Sequence, residues 1–141
     1  MTAVTTVTRS FEFDYGHRVL GHGGKCRHLH GHRGKAMVTV SAPQLDDLSM
    51  VIDFSAIKEK IGGWIDSALD HNLLLNVKDP QLNHLMKTEE RKPFVMPSGN
   101  PTAENISRLI YYKSKEILGE DFKMVRVRLY ETPNCFADYS E

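Results

Sequence analysis

The sequence has little cysteine, no excess charge of either sign and no long hydrophobic run. Cys26 and Cys135 are its only cysteines, and we expect free thiols in a reducing cytoplasm rather than a disulfide. Eighteen basic and 18 acidic residues give a formal net charge of zero, which argues against a nucleic-acid wrapper and a polybasic membrane binder. No stretch approaches the roughly 18 apolar residues of a transmembrane helix. Residues 1–9 also lack the apolar core of a signal peptide.

The composition is that of one ordinary globular domain. The chain has 141 residues, of which 40% are hydrophobic and 26% are charged. This length predicts a single domain over residues 1–141, with a core of modest size. Composition therefore predicts a cytoplasmic protein with neither a nucleic-acid nor a membrane partner.

Four segments have the pattern of β-strands. In the third, Val125, Val127 and Leu129 alternate with polar residues, so these three side chains should face the core. In the last, Cys135 is expected to be a small buried apolar residue. The predicted strands are residues 7–14, 35–42, 124–131 and 135–139.

Two segments have helical spacing of their apolar residues. Asp53 or Ser55 can cap the first helix, which should end near residues 70–71. Thr102 or a near neighbour can cap the second helix, and Gly119 can end it. Between the helices, residues 76–100 are polar and rich in proline, which predicts a long irregular loop. The order strand, strand, helix, helix, strand, strand favours an α+β fold, in which helices cover one face of an antiparallel sheet.

Histidine is concentrated in one part of the chain, where five of the seven histidines lie within sixteen residues. His30 and His32 are two residues apart, so in an extended segment both rings lie on the same side. They precede the second predicted strand, and His17 follows the first. If those strands are neighbours, the three rings converge on one ion. Three protein ligands leave one position of a zinc ion open, as in catalytic zinc sites. The alternative is a set of solvated loop histidines.

Cys26 lies four residues before His30 and allows two interpretations. It is either a fourth zinc ligand, which would close the site, or a separate reactive thiol. Its neighbours Lys25 and Arg27 favour the thiolate form, and we favour the role of a base.

Three further groups carry acidic or basic chemistry. Asp70 is followed by His71, and a carboxylate that fixes a histidine tautomer is a common proton-transfer pairing. From spacing alone, however, this dipeptide is more simply an ordinary helix end. Glu104 and Glu131 would not stand out by themselves, since exposed carboxylates are common.

Taken in order, these residues resemble the motif set of the 6-pyruvoyl-tetrahydropterin synthase family. The resemblance runs from Phe11 to Tyr139, which is nearly the whole chain. An HGH tripeptide alone would be weak evidence, whereas five motifs in the same order are specific. The motifs are His17, Cys26-x-x-x-His30-Gly31-His32, Asp70-His71, Pro101-Thr102-Ala103-Glu104-Asn105 and Glu131-Thr132.

The resemblance implies the tunnelling fold (T-fold), in which two helices cover a four-stranded antiparallel sheet. Subunits of this fold join into a β-barrel trimer, usually doubled to a hexamer, with active sites between subunits. By motif match, the residue roles divide into three groups. His17, His30 and His32 would be the metal ligands for Zn²⁺. The catalytic residues would be Cys26, as the proton-abstracting thiolate, and Asp70 with His71, as a second proton-transfer pair. The pterin would contact Glu131, with Thr102 and Glu104 nearby.

The resemblance also implies a reaction. Three residues separate Cys26 from the HGH tripeptide, which favours the carboxy-forming members over the pyruvoyl-forming ones. The expected activity is a zinc-dependent lyase that converts 7,8-dihydroneopterin triphosphate to 6-carboxy-5,6,7,8-tetrahydropterin, with release of acetaldehyde and triphosphate, in 7-deazaguanine (queuosine) biosynthesis. The alternatives are a pyruvoyl-forming synthase and a non-catalytic zinc or pterin-binding module.

Some features of the chain stand outside this match. Gly34 occupies a position where an aromatic residue often follows HGH, and residues 76–100 are longer than in compact members. Lys25, Arg27 and Lys35 are candidate triphosphate contacts by charge, or else solvated cations.

Overall fold

A computed structural model describes residues 3–141. Over this range the chain forms one mixed sheet and three helices, together with a 3₁₀ turn at Lys25–Arg27. Within residues 3–141, none of the helices combines the length and the hydropathy of a membrane span. The strands are β1 (Thr6–His17), β2 (His30–Ser41), β3 (Asn72–Leu75), β4 (Phe94–Val95), β5 (Lys123–Thr132) and β6 (Cys135–Tyr139). The helices are α1 (54–68), α2 (Leu82–Thr88) and α3 (Ala103–Leu118).

The sheet confirms the four predicted antiparallel strands and adds two short ones. The strand order is β4-β3-β1-β2-β5-β6. The neighbouring pairs among β1, β2, β5 and β6 are antiparallel, whereas β3 runs parallel to β1 and β4 runs parallel to β3. The expectation of a purely four-stranded antiparallel sheet is therefore wrong in strand count. Strands of four and two residues are too short to show a period of two in the sequence.

Helix α1 packs on the sheet through a face that begins at Ile57. Its cap is Asp53, whose Oδ1 accepts a hydrogen bond from the Ser55 amide at 2.8 Å. The middle of the helix, Lys58–Gly62, forms a π-helical turn. A Cβ at Gly62 would lie 2.9 Å from Cε1 of Phe11, so this glycine allows helix and strand to approach closely. The buried face comprises Ile57, Ile61, Ile65 and Leu69.

Helix α3 has the predicted ends. The Thr102 hydroxyl accepts a hydrogen bond from the Asn105 amide at 3.2 Å, and Gly119 follows the last turn with φ of 77°. Ile106 and Ile110 on its inner face are fully buried. The start of α3 is therefore held in place by its cap and by its buried inner face.

The predicted irregular loop at residues 76–100 is wrong, because the segment contains α2 and β4. Arg18 anchors the segment to the end of β1 through a two-pronged ion pair with Asp79, in which Arg18 Nε donates to Asp79 Oδ2 at 2.7 Å. The Asp79 side chain is 1% exposed. This ion pair between distant residues orders the segment, and it cannot be predicted from the periodicity of the sequence.

Two predictions for the later strands are corrected by the structure. A bulge interrupts the pairing of β2 and β5, since Thr39 pairs with Arg126 but Val40 pairs with Met124. Met124 is consequently buried in the place expected for Val125, which lies in the bulge. Cys135 is exposed rather than buried, because β6 is an edge strand.

Candidate active site

Strand pairing brings three histidines together. Strands β1 and β2 pair antiparallel, so that His17 is the partner of His30 and Tyr15 is the partner of His32. Residues in register or two apart on such strands project to one face of the sheet. The ring centroids are 4.6 Å apart for His17 and His30, 5.1 Å for His17 and His32, and 4.9 Å for His30 and His32. We refer to this group as the three-histidine site.

The three-histidine site has the donor set of a metal centre. Each ring offers one nitrogen, and these nitrogens all lie within 4.8 Å of one another. Nε2 of His17 and Nε2 of His32 are buried and have no hydrogen-bond partner. Buried polar atoms without a partner are rare and costly in proteins. A metal ion between the rings would supply the missing partner of both nitrogens. The residues therefore fit a bound metal ion.

Backbone carbonyls orient two of these rings. Nδ1 of His17 donates to the carbonyl of Pro101 at 2.6 Å, and Nδ1 of His30 donates to the carbonyl of His28 at 2.7 Å. A carbonyl only accepts, so Nδ1 carries the proton and Nε2 keeps its lone pair for a ligand. Burial is the main cause that lowers the pKa of His17 and of His32, which favours the neutral, metal-binding imidazole.

Glu131 lies at the open side of the three-histidine site. Its Oε1 is 3.5 Å from Nε2 of His32, and its Oε2 is 4.0 Å from Nε2 of His17. The side chain is 27% exposed, so the carboxylate is accessible from solvent. The motif match predicted a pterin contact for Glu131; its closeness to the histidines was not predicted, because it depends on how β5 pairs with β2.

Cys26 stands apart from the three-histidine site. It lies in the turn Lys25–Arg27, is half-buried, and is not among the groups that converge with the histidine nitrogens. The Val19 amide donates to its carbonyl at 2.8 Å, which ties this turn to the end of β1. Cys26 is therefore a free thiol that is not one of the converging ligand groups.

Asp70 and His71 form the predicted pair. Nδ1 of His71 donates to Oδ2 of Asp70 at 2.9 Å, which leaves Nε2 as the basic nitrogen. Oδ1 of Asp70 accepts from the amide of Asp14 at 2.9 Å. Burial raises the pKa of Asp70, but the hydrogen bonds from Asp14 and His71 outweigh it, and the pKa lies below its usual range. The ordinary helix end expected from spacing alone is thus also a hydrogen-bonded carboxylate–histidine pair.

The pair and the three-histidine site lie on opposite faces of the sheet. Nε2 of His71 is 3.9 Å from Oδ2 of Asp14, so the ring lies on the face to which Asp14 projects. Since side chains alternate along a strand, Asp14 points away from the face of Tyr15 and His17. A cleft of about 670 Å³ borders His71 on that side. His30 and His32 also border this cleft, although their rings turn to the other face and converge with that of His17. One chain therefore does not bring His71 to its own three histidines.

Of the two remaining predicted site residues, Glu104 borders Glu131, and Thr102 lies at the start of the same helix as Glu104. Thr102 caps α3 through its hydroxyl, and Glu104 in the first turn is exposed. Glu104 and Glu131 line one groove, together with Cys135 and Phe136. This groove is distinct from the cleft beside His71.

Sequence reasoning missed three residues of the site, which are Asp14, Tyr15 and Arg33. Asp14 contacts the Asp70–His71 pair through its amide, and its carboxylate accepts from Nη1 of Arg33 at 3.1 Å. Tyr15 packs against the rings of His17 and His32, and its buried hydroxyl has no partner. Burial raises the pKa of Tyr15. Alternation places Asp14 and Arg33 on the outer face, but no local signal identifies the contacts.

Two of the three basic residues predicted by charge have other contacts. Lys35 Nζ lies 4.8 Å from the centre of the Tyr130 ring, and Arg27 donates to the carbonyls of Gly23 and Gly24. The cleft beside His71 is lined instead by Arg33 and Arg91.

Fold and site together define a T-fold protein with a three-histidine centre able to hold a metal ion. The chain belongs to the 6-pyruvoyl tetrahydropterin synthase family, whose sequence profile matches residues 6–141.

Curated relatives resemble the chain over almost its full length. The sequence is 40% identical over 133 residues to the 6-carboxy-5,6,7,8-tetrahydropterin synthase of Rickettsia felis, with 93% of this chain and 96% of the relative covered. It is 34% identical over 141 residues to the protein of the same name from Haemophilus influenzae, with 96% and 98% covered.

Solved structures share the fold. An uncharacterized protein from Wolinella succinogenes superposes with a TM-score of 0.85 at 24% identity, covering 99% of both chains. The 6-pyruvoyl tetrahydropterin synthase of Caenorhabditis elegans superposes with a TM-score of 0.73 at 21% identity, covering 99% of this chain and 96% of that one.

Proposed function

We propose that this protein is a 6-carboxy-5,6,7,8-tetrahydropterin synthase, a zinc-dependent lyase acting on 7,8-dihydroneopterin triphosphate. The observation that carries the proposal is the three-histidine site with Glu131 at its open side. The near full-length similarity to curated relatives of that name supports the choice of product.

Zinc is the metal that the donor set suits best. Three neutral imidazoles with one open position are typical of catalytic zinc. A bound zinc ion would lower the pKa of a coordinated substrate hydroxyl. His17, His30 and His32 would hold the ion, and the carbonyls of Pro101 and His28 would keep two of the rings in the binding tautomer.

The proton transfers fall to Cys26 and His71. Cys26 would remove a proton from the substrate side chain as a thiolate, close to the metal but not bound to it. His71 would accept a proton on Nε2, because Nδ1 is held by Asp70. Glu131 would accept hydrogen bonds from the amino group and ring N–H of the pterin, with Thr102 and Glu104 nearby.

A homo-oligomer with active sites between subunits follows from this assignment. His71 lies on the sheet face opposite to the three-histidine site of its own chain. A neighbouring copy would therefore supply the Asp70–His71 pair, as in a trimer or a dimer of trimers. This separation supports the shared site independently of the motif match.

The cellular setting is part of the same proposal. Both thiols are free in the structure, which suits a reducing cytoplasm. The product is a precursor of 7-deazaguanines such as queuosine, so we place the enzyme in that pathway.

One assay tests the proposal directly. The zinc-loaded protein is incubated with 7,8-dihydroneopterin triphosphate, the pterin product is identified by mass, and acetaldehyde is quantified. We expect 6-carboxytetrahydropterin and one acetaldehyde per turnover. A pyruvoyl product without acetaldehyde would identify the alternative synthase, and zinc binding without turnover would identify a binding module. His32→Ala, which removes a ligand, should lose most of the zinc and all product.

A further inference from the structure

The position of Glu131 is unusual for a residue whose only task is to bind a pterin. Its carboxylate oxygens lie 3.5 Å from Nε2 of His32 and 4.0 Å from Nε2 of His17. Neither contact is a hydrogen bond, since both nitrogens lack a hydrogen-bond partner. At His17, whose Nδ1 donates to the Pro101 carbonyl, the lone pair of Nε2 therefore faces the carboxylate across a gap.

Such an arrangement is unfavourable unless a cation lies between the groups. Nε2 of His17 carries no proton when Nδ1 donates to the Pro101 carbonyl, so it cannot donate to Glu131. A carboxylate oxygen is likewise only an acceptor. A metal ion shared by imidazole and carboxylate would remove the repulsion and satisfy both buried nitrogens.

The separations match those between two ligands of one zinc ion. With zinc–nitrogen and zinc–oxygen bonds of about 2.0–2.2 Å and tetrahedral angles, two ligand atoms lie about 3.3–3.5 Å apart. The observed 3.5 Å for His32 has this value, and 4.0 Å for His17 is slightly longer. A small rotation of the Glu131 side chain, which is 27% exposed, would equalise them.

We propose that Glu131 is an exchangeable fourth ligand, which binds the metal when the substrate is absent and leaves it when a pterin arrives. The same carboxylate would then turn from the ion to the donor edge of the pterin, and the vacated position would be available to the substrate. This inference rests on the metal site of the proposed function, but it does not depend on which product the enzyme forms.

Cobalt(II) is a suitable probe, because its visible absorption reports the ligands directly. Metal-free protein is titrated with Co²⁺ alone, and zinc affinity is measured by competition with a chelator. The variant is Glu131→Gln, and the matched control is Glu104→Gln, which removes the other carboxylate of the same groove. We expect Glu131→Gln to shift the cobalt spectrum and to weaken metal binding by at least about 10–100-fold, the loss that follows removal even of groups that only support the ligands of a metal. In this titration without pterin, Glu104→Gln should have the cobalt spectrum and the metal affinity of the unmodified protein.

Addition of an unreactive pterin without a triphosphate provides the second measurement. In the unmodified protein it should change the cobalt spectrum, because Glu131 leaves the ion, whereas Glu131→Gln should show no such change. The proposal is overturned if Glu131→Gln has the spectrum and affinity of the unmodified protein, or if Glu104→Gln shows an equal loss. A protein that shows the expected spectra but forms no carboxypterin would keep the fourth ligand and refute the proposed reaction.

Discussion

The ring of Tyr15 lies against the backbone of Gly34. A Cβ at position 34 would come within 2.8 Å of Cε1 of Tyr15, and Phe13 lies just beyond at 3.5 Å. The position where an aromatic residue often follows HGH is therefore filled from the neighbouring strand. The same ring contacts His17 and His32, so the packing of Tyr15 supports the three-histidine site.

This contact predicts a coupling between the two positions. Gly34→Ala should lower the free energy of unfolding by about 1–3 kcal/mol, because overpacking forces a buried ring to move. In a Tyr15→Leu background the same substitution should cost clearly less. Urea unfolding of the four proteins gives the coupling energy. The control is Gly63→Ala, where no atom lies within 4 Å of the added Cβ, and no loss is expected. Equal costs of Gly34→Ala in both backgrounds would contradict the interpretation.

The two cysteines should behave differently on substitution. Cys26→Ala should keep zinc and assembly but lower turnover roughly 10²–10⁴-fold, the usual effect of removing a proton-transfer group. Cys135→Ala, at an exposed position of the edge strand, should leave turnover nearly intact. X-ray absorption should show zinc–nitrogen distances of about 2.0–2.1 Å and no zinc–sulfur distance near 2.3 Å. Similar kinetics for the two variants would remove Cys26 from the reaction.

The separation of His71 from the three-histidine site predicts complementation between inactive chains. His32→Ala and His71→Ala should each abolish turnover when alone. After co-expression, a chain with intact metal ligands can neighbour a chain with an intact Asp70–His71 pair, so roughly a quarter of the sites should be complete by random mixing. Turnover of the mixed oligomer is compared with that of the two proteins purified separately and combined without subunit exchange. A mixture as inactive as its components would mean that each site comes from one chain.

The Arg18–Asp79 pair predicts a specific pH dependence of stability. The hydrogen bond from Arg18 is the main cause that lowers the pKa of Asp79, with burial opposing it. Because the pKa of Asp79 is lower in the folded than in the unfolded state, its carboxylate adds its full contribution to the free energy of unfolding above the unfolded pKa of about 3.9. That contribution is lost as the pH falls through the pKa of the folded state. Asp79→Asn should therefore cost about 3 kcal/mol at pH 7, and the difference from the unmodified protein should shrink below pH 4.

Urea midpoints across this range measure the effect. Glu116→Gln, which removes an exposed ion pair with Lys113, serves as the control and should change stability by about 0.5 kcal/mol or less at any pH. A cost of Asp79→Asn that is independent of pH would show that packing, and not charge, is what Asp79 contributes.

Local patterns in the sequence determined the main elements and singled out the three histidines that the structure brings together. The spacing of His30 and His32 suffices to put both rings on one side of a strand, since side chains of a strand repeat every two residues. Asp53, Thr102 and Gly119 act as helix ends for reasons that are local to the chain, so these assignments were accurate. The order of the motifs was enough to indicate the family.

Tertiary structure decided the features that depend on which segments meet. Because of the bulge in β5, Met124 and not Val125 lies in the core. The pairing of β5 with β2 places Glu131 3.5 Å from His32. The path of the chain after α1 placed His71 on the sheet face opposite the three histidines. Contacts of this kind join residues far apart in sequence, and their energies depend on register and packing across strands, which no local pattern encodes. The sequence by itself therefore determined which residues are available for chemistry, and the fold decided which of them act together.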